Sequence, residues 1–151
     1  MFSNIFTDIT YAETVQRLQQ LTESTQRKWG TMTGAQMLRH CRAQIDLVLH
    51  PADTVKVYPT MMRFSPVRWL VVYPVPWPKG SKTAPELDVN KKLMDVEDFA
   101  TEKAELLQAL GELYQKTHVD AIHPLFGKMG KQQWGRVVWK HLDHHLRQFG
   151  L

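Results

Sequence analysis

The 151-residue sequence predicts an all-α fold built as a four-helix bundle. Four stretches carry helical periodicity, and none shows the sustained alternation of apolar and polar residues that a sheet requires. Helices of roughly 15–20 residues joined by loops of varied length suit a four-helix bundle. The length and a hydrophobic content of 43% fit a single core, so residues 1–151 are predicted to form one domain.

The first helix is predicted to begin after Thr10, because Thr10 and Glu13 have the spacing of a capping box. Apolar positions then recur at helical spacing, namely Val15, Leu18 and Leu21 or Thr22. The helix is expected to end near Trp29 and Gly30.

The second helix is predicted to begin after Thr33, whose hydroxyl can cap the first amides together with the side chain of Gln36. It is expected to stop at Pro51. A third, more apolar segment covers residues 61–73, where Pro66 suits the first turn of a helix. This third helix is predicted to start at Ser65, directly before the proline.

The stretch 74–88 is rich in Pro and Gly and has no period, which predicts an ordered loop or a crossover. A long helix follows, with Asp95 or Asp98 as its cap. Residues 117–130 link this helix to a last one over residues 131–149. Gly150 is a natural terminator of that last helix.

The last helix has two distinct sides when its residues are placed about 100° apart. One side carries Trp134, Val138, His141, Leu142, His145 and Phe149. The other, predicted to be a solvated face, carries Arg136, Lys140, Asp143 and Arg147. His141 and His145 therefore point into the core, and at a Cβ separation of roughly 5–6 Å their imidazoles can converge on one metal ion.

Seven histidines are the unusual part of the composition, and three of them fall within five consecutive positions near the C-terminus. Leu142 follows His141 where a zincin-type peptidase has glutamate, so that class is excluded. The alternative reading of the pair is one buried, hydrogen-bonded histidine and one half-exposed histidine. A third metal ligand has to come from elsewhere, and the candidates are His40, His50, His118 and His123.

The lone cysteine, Cys41, excludes an intrachain disulfide and a cysteine-based zinc site, and is interpreted as a small buried hydrophobe. The N-terminal MFSNIFTDIT lacks the features of a secretory signal, and Pro74 and Pro76 interrupt the longest apolar region. A cytoplasmic protein with no membrane segment is therefore predicted. The net charge of +4 leaves anionic partners open without identifying one.

Two segments on different helices resemble the DinB/YfiT-like superfamily of metalloenzymes. They are M-L-R-H at residues 37–40 and H-L-D-H-H-L-R-Q-F-G at residues 141–150. The H-P-L-F-G of residues 123–127, the Trp134-Gly135 pair and the P-W-P-K-G-S-K-T-A-P loop look like one uncharacterised branch of that superfamily. The resemblance covers nearly the whole chain.

The resemblance implies a four-helix bundle with a long crossover and a divalent metal held by His40, His141 and His145. Zn²⁺ and Ni²⁺ suit three imidazole ligands best. His123, His144 and Gln148 lie outside this triad and are candidates for lining a pocket. Superfamily members with an assigned activity bind and activate a small thiol, which they transfer or use in isomerisation.

The main hypothesis is a metal-dependent transferase or hydrolase in which the ion activates a water or a low-molecular-weight thiol. Metal affinity is expected to fall as the pH drops through about 6.5, because the ligands must be deprotonated. The alternative is a non-catalytic helical bundle with a structural metal or none. Trp77, Trp134 and Phe126 are candidate pocket walls, and Lys79 and Lys82 are candidate contacts to an anionic substrate.

Nucleic-acid binding is not expected, although basic residues surround the last helix, namely Lys128, Lys131, Arg136, Lys140 and Arg147. No helix-turn-helix spacing or RNA-recognition motif accompanies them. The expected partner is a small molecule, and a homodimer is compatible with the sequence.

Overall fold

The computed structural model describes residues 1–81 and 96–151, and this part of the chain is mostly helical. Its helices are α1 (Asp8–Gln20), α2 (Gly34–Leu49), α3 (Ser65–Val72), α4 (Phe99–Gln115) and α5 (Lys131–Gln148). A 3-10 turn, Met61–Arg63, precedes α3. Two short strands, β1 (Ile122–His123) and β2 (Gly127–Lys128), lie between α4 and α5. Within the described ranges, no helix combines the length and the hydropathy needed to cross a membrane.

The helix α1 begins after Thr7 and ends at Gln20, so both predicted ends of the first helix are wrong. Thr10 lies inside the first turn, where its hydroxyl accepts a hydrogen bond from the Thr7 hydroxyl at 2.9 Å. Beyond Gln20, the amide of Thr22 donates to Oγ1 of Thr25 at 2.9 Å. Such local side-chain bonds compete with the helical pattern, and α1 stops before them.

The predicted start of α2 is confirmed. Oγ1 of Thr33 accepts from the Gln36 amide at 3.2 Å, and Oε1 of Gln36 accepts from the Thr33 amide at 2.8 Å. The start of α3 at Ser65, with Pro66 in its first turn, is confirmed as well. The third confirmed start is that of α5, at Lys131.

The N-terminus of α4 is capped by Asp98, whose Oδ1 accepts from the amides of Ala100 and Thr101. The other candidate cap, Asp95, lies outside the described residues, as do Lys82 and the second half of the predicted 74–88 loop. α4 packs along α2, and Arg42 of α2 lies 3.5 Å from the fully buried carboxylate of Glu102.

A small antiparallel hairpin is the main departure from the predicted all-α class. Ile122 pairs with Lys128 and His123 with Gly127, whose φ of +73° favours glycine at the turn. Arg68 of α3 anchors the hairpin, because its guanidinium donates a hydrogen bond to the carbonyl of Phe126 at 3.1 Å. Strands of two residues are too short to produce a readable alternation, so the pattern of residues 117–130 did not reveal them.

The core lies between α5 and the helices around it. α5 contacts α1, α2 and α3, and α4 contacts α1 and α2. The largest fully buried side chains come from the helices and from the N-terminal segment, and include Ile5, Leu18, Met37, Leu38, Ile45, Leu106, Leu110, Leu113, Trp134, Leu142 and Leu146. This single cluster fixes the position of α5 relative to α2, and therefore of the histidines that both helices carry.

The predicted solvated face of α5 is wrong at two positions, because Arg136 and Lys140 are buried. Nζ of Lys140 donates to the carbonyls of Val71 and Val75 at 2.7 and 2.5 Å. The guanidinium of Arg136 donates to the carbonyls of Ser3, Val72 and Tyr73 at 3.0–3.2 Å. The end of α3 therefore covers this side of α5, and the two cations satisfy its terminal carbonyls.

Candidate metal centre

Three buried histidines from two helices converge at the centre of the molecule. His40 of α2 and His141 and His145 of α5 are each less than a tenth exposed. Nε2 of His141 lies 2.8 Å from Nε2 of His40 and 3.2 Å from Nε2 of His145. The three possible ligand atoms all lie within 4.8 Å of one another.

Helix geometry accounts for this convergence. His141 and His145 are one turn apart on the inward side of α5, and α2 packs against α5. His40 lies on the buried side of α2. The structure thus brings together the three residues that the resemblance implied, while His50 and His118 are exposed and lie outside the group.

Gln148 fixes the protonation pattern of His145. Nε2 of Gln148 donates to the carbonyl of Trp29 at 2.8 Å, and a carbonyl can only accept, so the amide oxygen must face the other way. Oε1 of Gln148 lies 2.9 Å from Nδ1 of His145, so Nδ1 carries the proton and donates a hydrogen bond to Oε1. Nε2 of His145 is therefore left with a lone pair directed at His141, as a metal ligand requires.

Burial keeps His141 and His145 uncharged in the absence of an ion. It lowers the pKa of His145 to about 3 and that of His141 well below its ordinary value, and the neighbouring His40 lowers both further. These two imidazoles are therefore neutral at pH 7, which is the form that binds metal. The pH at which protons compete for these ligands moves below the 6.5 expected from the sequence.

The donor set fits a divalent ion of the zinc or nickel type. Tetrahedral ligands with bonds of about 2.0–2.1 Å lie roughly 3.3 Å from one another. The two Nε2 separations at His141 are close to that value. Nδ1 of His141 is buried and has no hydrogen-bond partner among the described residues, so it does not hold the ring in place as Gln148 holds His145.

A cavity of about 370 Å³ opens beside the histidines. His141 and His145 form one part of its lining, which leaves room for a further ligand next to them. The remaining described lining residues are Gln44, Met62, Val71, Val75, Pro76, Trp77, Pro78, Ser81, His123, Leu125, Phe126 and His144. Among these described residues the lining has no aspartate, glutamate, lysine or arginine.

The other candidate site residues are distributed around this cavity. Trp77, Phe126, His123 and His144 line it, whereas Trp134 is in the core, where its indole donates to the Ala121 carbonyl at 3.0 Å. Of the three candidate walls, Trp134 is therefore a core residue and not part of the described lining.

Neither Lys79 nor Cys41 is among the described lining residues. Nζ of Lys79 lies 4.6 Å from the ring centre of Trp29. Cys41 is buried with its thiol against Sδ of Met37 at 3.7 Å, and burial raises its pKa, so it behaves as a small apolar group.

The sequence interpretation missed two functional features, the place of Gln44 in the cavity lining and the contact through which Gln148 orients His145. Gln44 lies on α2 one turn after His40 and lines the cavity, and its i, i+4 spacing from a predicted ligand could have identified it. The role of Gln148 depends on its contact with Trp29, 119 positions away, and no local pattern contains such a contact.

Comparison with known proteins supplies a family and no activity. Residues 6–150 match the model of a family described as "Protein of unknown function (DUF1569)". No curated protein matches the chain, and no solved structure matches it.

Proposed function

The chain belongs to the DUF1569 family of unknown function, and we propose that it is a metal-dependent enzyme whose divalent ion is held by His40, His141 and His145. The observation that supports this most directly is the approach of three buried imidazole nitrogens, with Nε2 of His141 lying 2.8 Å from Nε2 of His40 and 3.2 Å from Nε2 of His145. Lone pairs gathered this closely and away from water are stabilised by a cation.

The proposed fold type is a four-helix bundle related to the DinB/YfiT-like superfamily, formed by α1, α2, α4 and α5. Its support is the contact of α2 with both α4 and α5, and of α1 with the same two helices. The M-L-R-H segment on α2 and the H-L-D-H-H segment on α5 supply the ligands that the resemblance implies. This kinship is a proposal and stands apart from the family match.

The proposed reaction is transfer or hydrolysis of a small molecule, with a low-molecular-weight thiol as the leading candidate. Three neutral ligands leave the charge of a dication uncompensated, so the ion would lower the pKa of a bound water or thiol. Gln148 orients His145, and the cavity beside the histidines has room for a small molecule next to the ion. Among the described residues, the lining has no carboxylate that could act as a side-chain base next to the histidines.

Metal binding is the first test. Protein purified without a histidine tag should contain or take up about one Zn²⁺ or Ni²⁺ per chain, measured by elemental analysis and by competition with a chelator. His40→Ala and His141→Ala should each weaken this binding by at least about 100-fold, since each removes one of three ligands. His118→Ala is the matched control because His118 is exposed.

The alternative, a non-catalytic bundle with a structural metal, predicts a different outcome for the same variants. A structural site would lose much of its folding stability together with the ion, whereas a catalytic site keeps most of it because the apolar core remains. Thermal unfolding of the variants with and without chelator separates the two. Wild-type protein that binds neither ion would refute the metal centre itself.

A further inference from the structure

Two residues of the cavity lining each carry a buried polar atom that has no hydrogen-bond partner among the described residues. The atoms are Nε2 of His123 and Oε1 of Gln44. His123 and Gln44 are each only 3% exposed, and both line the cavity beside the metal centre. Buried polar groups in folded proteins are almost always paired, so these two point to a missing partner.

The hairpin fixes His123 as a hydrogen-bond donor. Its Nδ1 accepts from the amide of Leu125 at 3.1 Å and from the amide of Phe126 at 3.4 Å. Nδ1 therefore carries no proton, and the single proton of the neutral ring is on Nε2. Burial lowers the pKa of His123 to about 3, so the ring is a neutral donor and not a cation at pH 7.

Gln44 supplies an acceptor on the neighbouring element. It lies on α2, which contacts the strand β1 that carries His123. Its amide oxygen has two lone pairs and is buried without a partner in the described chain. A donor and an acceptor, both neutral, are thus part of the same wall.

The remainder of that wall determines what kind of molecule it can hold. Its surface is mostly apolar, with side chains from Met62, Val71, Val75, Trp77 and Leu125. The described lining has no aspartate, glutamate, lysine or arginine. An ionised group placed there would lose hydration without gaining an opposite charge from any of the described lining residues. A neutral group that both accepts and donates would satisfy His123 and Gln44 together.

We propose that the cavity binds a small, neutral, mostly apolar molecule whose hydroxyl or amide group accepts a hydrogen bond from Nε2 of His123 and donates one to Oε1 of Gln44. This deepens the proposed function and rests on it to the extent that the molecule is the substrate of the metal centre. The binding contacts themselves do not involve the ion, so they can be measured without it.

The test compares three ligands of equal chain length, which are 1-pentanol, 1-chloropentane and pentanoate. Their dissociation constants are measured by NMR titration of the full-length protein, with chelator and again after loading with Zn²⁺. The informative quantity is the dissociation constant of 1-chloropentane divided by that of 1-pentanol, because the ratio cancels the apolar contribution that the two share.

His123→Asn removes the donor in the cavity while its Oδ1 can still accept from the Leu125 and Phe126 amides. The ratio should fall by about 3- to 10-fold in this variant, as expected for one lost hydrogen bond. Gln44→Met should lower it similarly and leaves the hairpin bonds intact, so it serves if His123→Asn does not fold. His118→Asn makes the same substitution at an exposed histidine and should leave the ratio unchanged.

The wild-type protein should bind pentanoate in the presence of chelator at least about tenfold more weakly than 1-pentanol, because the described lining residues include no lysine or arginine to pair with it. An unchanged ratio in both variants, equal affinity for pentanoate, or no binding of any of the three ligands would overturn the inference. Failure of the wild-type protein to bind metal would instead overturn the proposed function, and the alcohol preference would still be measured.

Discussion

Oε1 of Gln148 lies 2.9 Å from Nδ1 of His145, three residues earlier on the same helix. The amide nitrogen of Gln148 is held by the carbonyl of Trp29, so the loop before α2 determines which nitrogen of His145 faces its neighbours. A ligand oriented in this way loses little freedom when it binds an ion. The link between Gln148 and His145 is the basis of the first prediction.

Gln148→Leu should weaken Zn²⁺ binding by about 10- to 100-fold, the usual effect of removing the partner that orients a ligating histidine. Competition with a chelator measures it. Gln108→Leu is the control, because Gln108 is exposed on α4 and bonds only Glu112 among the described residues. Equal affinity in the Gln148 variant and the wild type would show that His145 needs no such support.

Gly30→Ala should disturb the same contact from the other side. Gly30 has φ of +83°, and a Cβ placed there would collide with Nε2 of Gln148. Gly80→Ala is the matched control, since Gly80 has φ of +76° and open space around its Cβ position. Both variants should lose about 1–2 kcal/mol of unfolding free energy from the backbone strain.

Only Gly30→Ala should also weaken Zn²⁺ binding, because only there does the new methyl group displace the glutamine amide. Titration of the two folded variants with Zn²⁺ under identical conditions makes the comparison. Equal weakening in both variants would mean that the effect comes from general destabilisation.

The stability of the metal-free protein should fall as the pH drops from about 6.5 toward 3. Burial lowers the pKa of both His123 and His145 to about 3, so between these values the unfolded chain binds protons that the folded chain does not. Each group should therefore reduce the unfolding free energy by about 1.4 kcal/mol per pH unit in that window, and by nothing above it.

Urea unfolding at pH 7, 5.5 and 4.5 with chelator present measures this dependence. His123→Asn removes one of the titrating groups and should reduce the slope between pH 5.5 and 4.5 by about 1.4 kcal/mol per unit. The same slope in the variant and the wild type would contradict the assignment of a low pKa to His123.

Lys140→Met should lower the unfolding free energy by about 1–3 kcal/mol, because the carbonyls of Val71 and Val75 would lose a buried charged donor. Arg147→Met, two turns later on the same side of α5, should cost about 0.5 kcal/mol or less, since Arg147 is more than half exposed where it pairs with Asp143. Thermal or urea unfolding of both variants provides the comparison. Equal small effects would place Lys140 on the solvated face that the sequence predicted.

Local sequence signals predicted the start of a helix correctly at three places. Thr33 with Gln36, Pro66 and Asp98 each mark the start of a helix that the structure confirms. The signal at Thr10 was misleading because the hydroxyl of Thr7, three residues earlier, holds Thr10 inside the helix. A capping pattern gives the residue types that can start a helix, but tertiary contacts decide among neighbouring candidates.

The candidate site was predictable only in part. The spacing of His141 and His145 is a property of α5 itself, whereas the burial of His40 depends on how α2 packs and needed the resemblance to be proposed. Arg136 and Lys140 looked solvated because periodicity describes one helix alone. It cannot register that the end of α3 lies over that side of α5 and offers carbonyl groups there.

The contact between His40 and His141 joins two positions that are 101 residues apart in the sequence. An ion shared by these residues would close a loop of that length, and the entropy removed by closing a loop grows with its length. The ion would therefore act on the whole chain as a crosslink that is made only in the folded state. Through mass action, the concentration of free metal would then set the fraction of molecules in which the second and last helices separate.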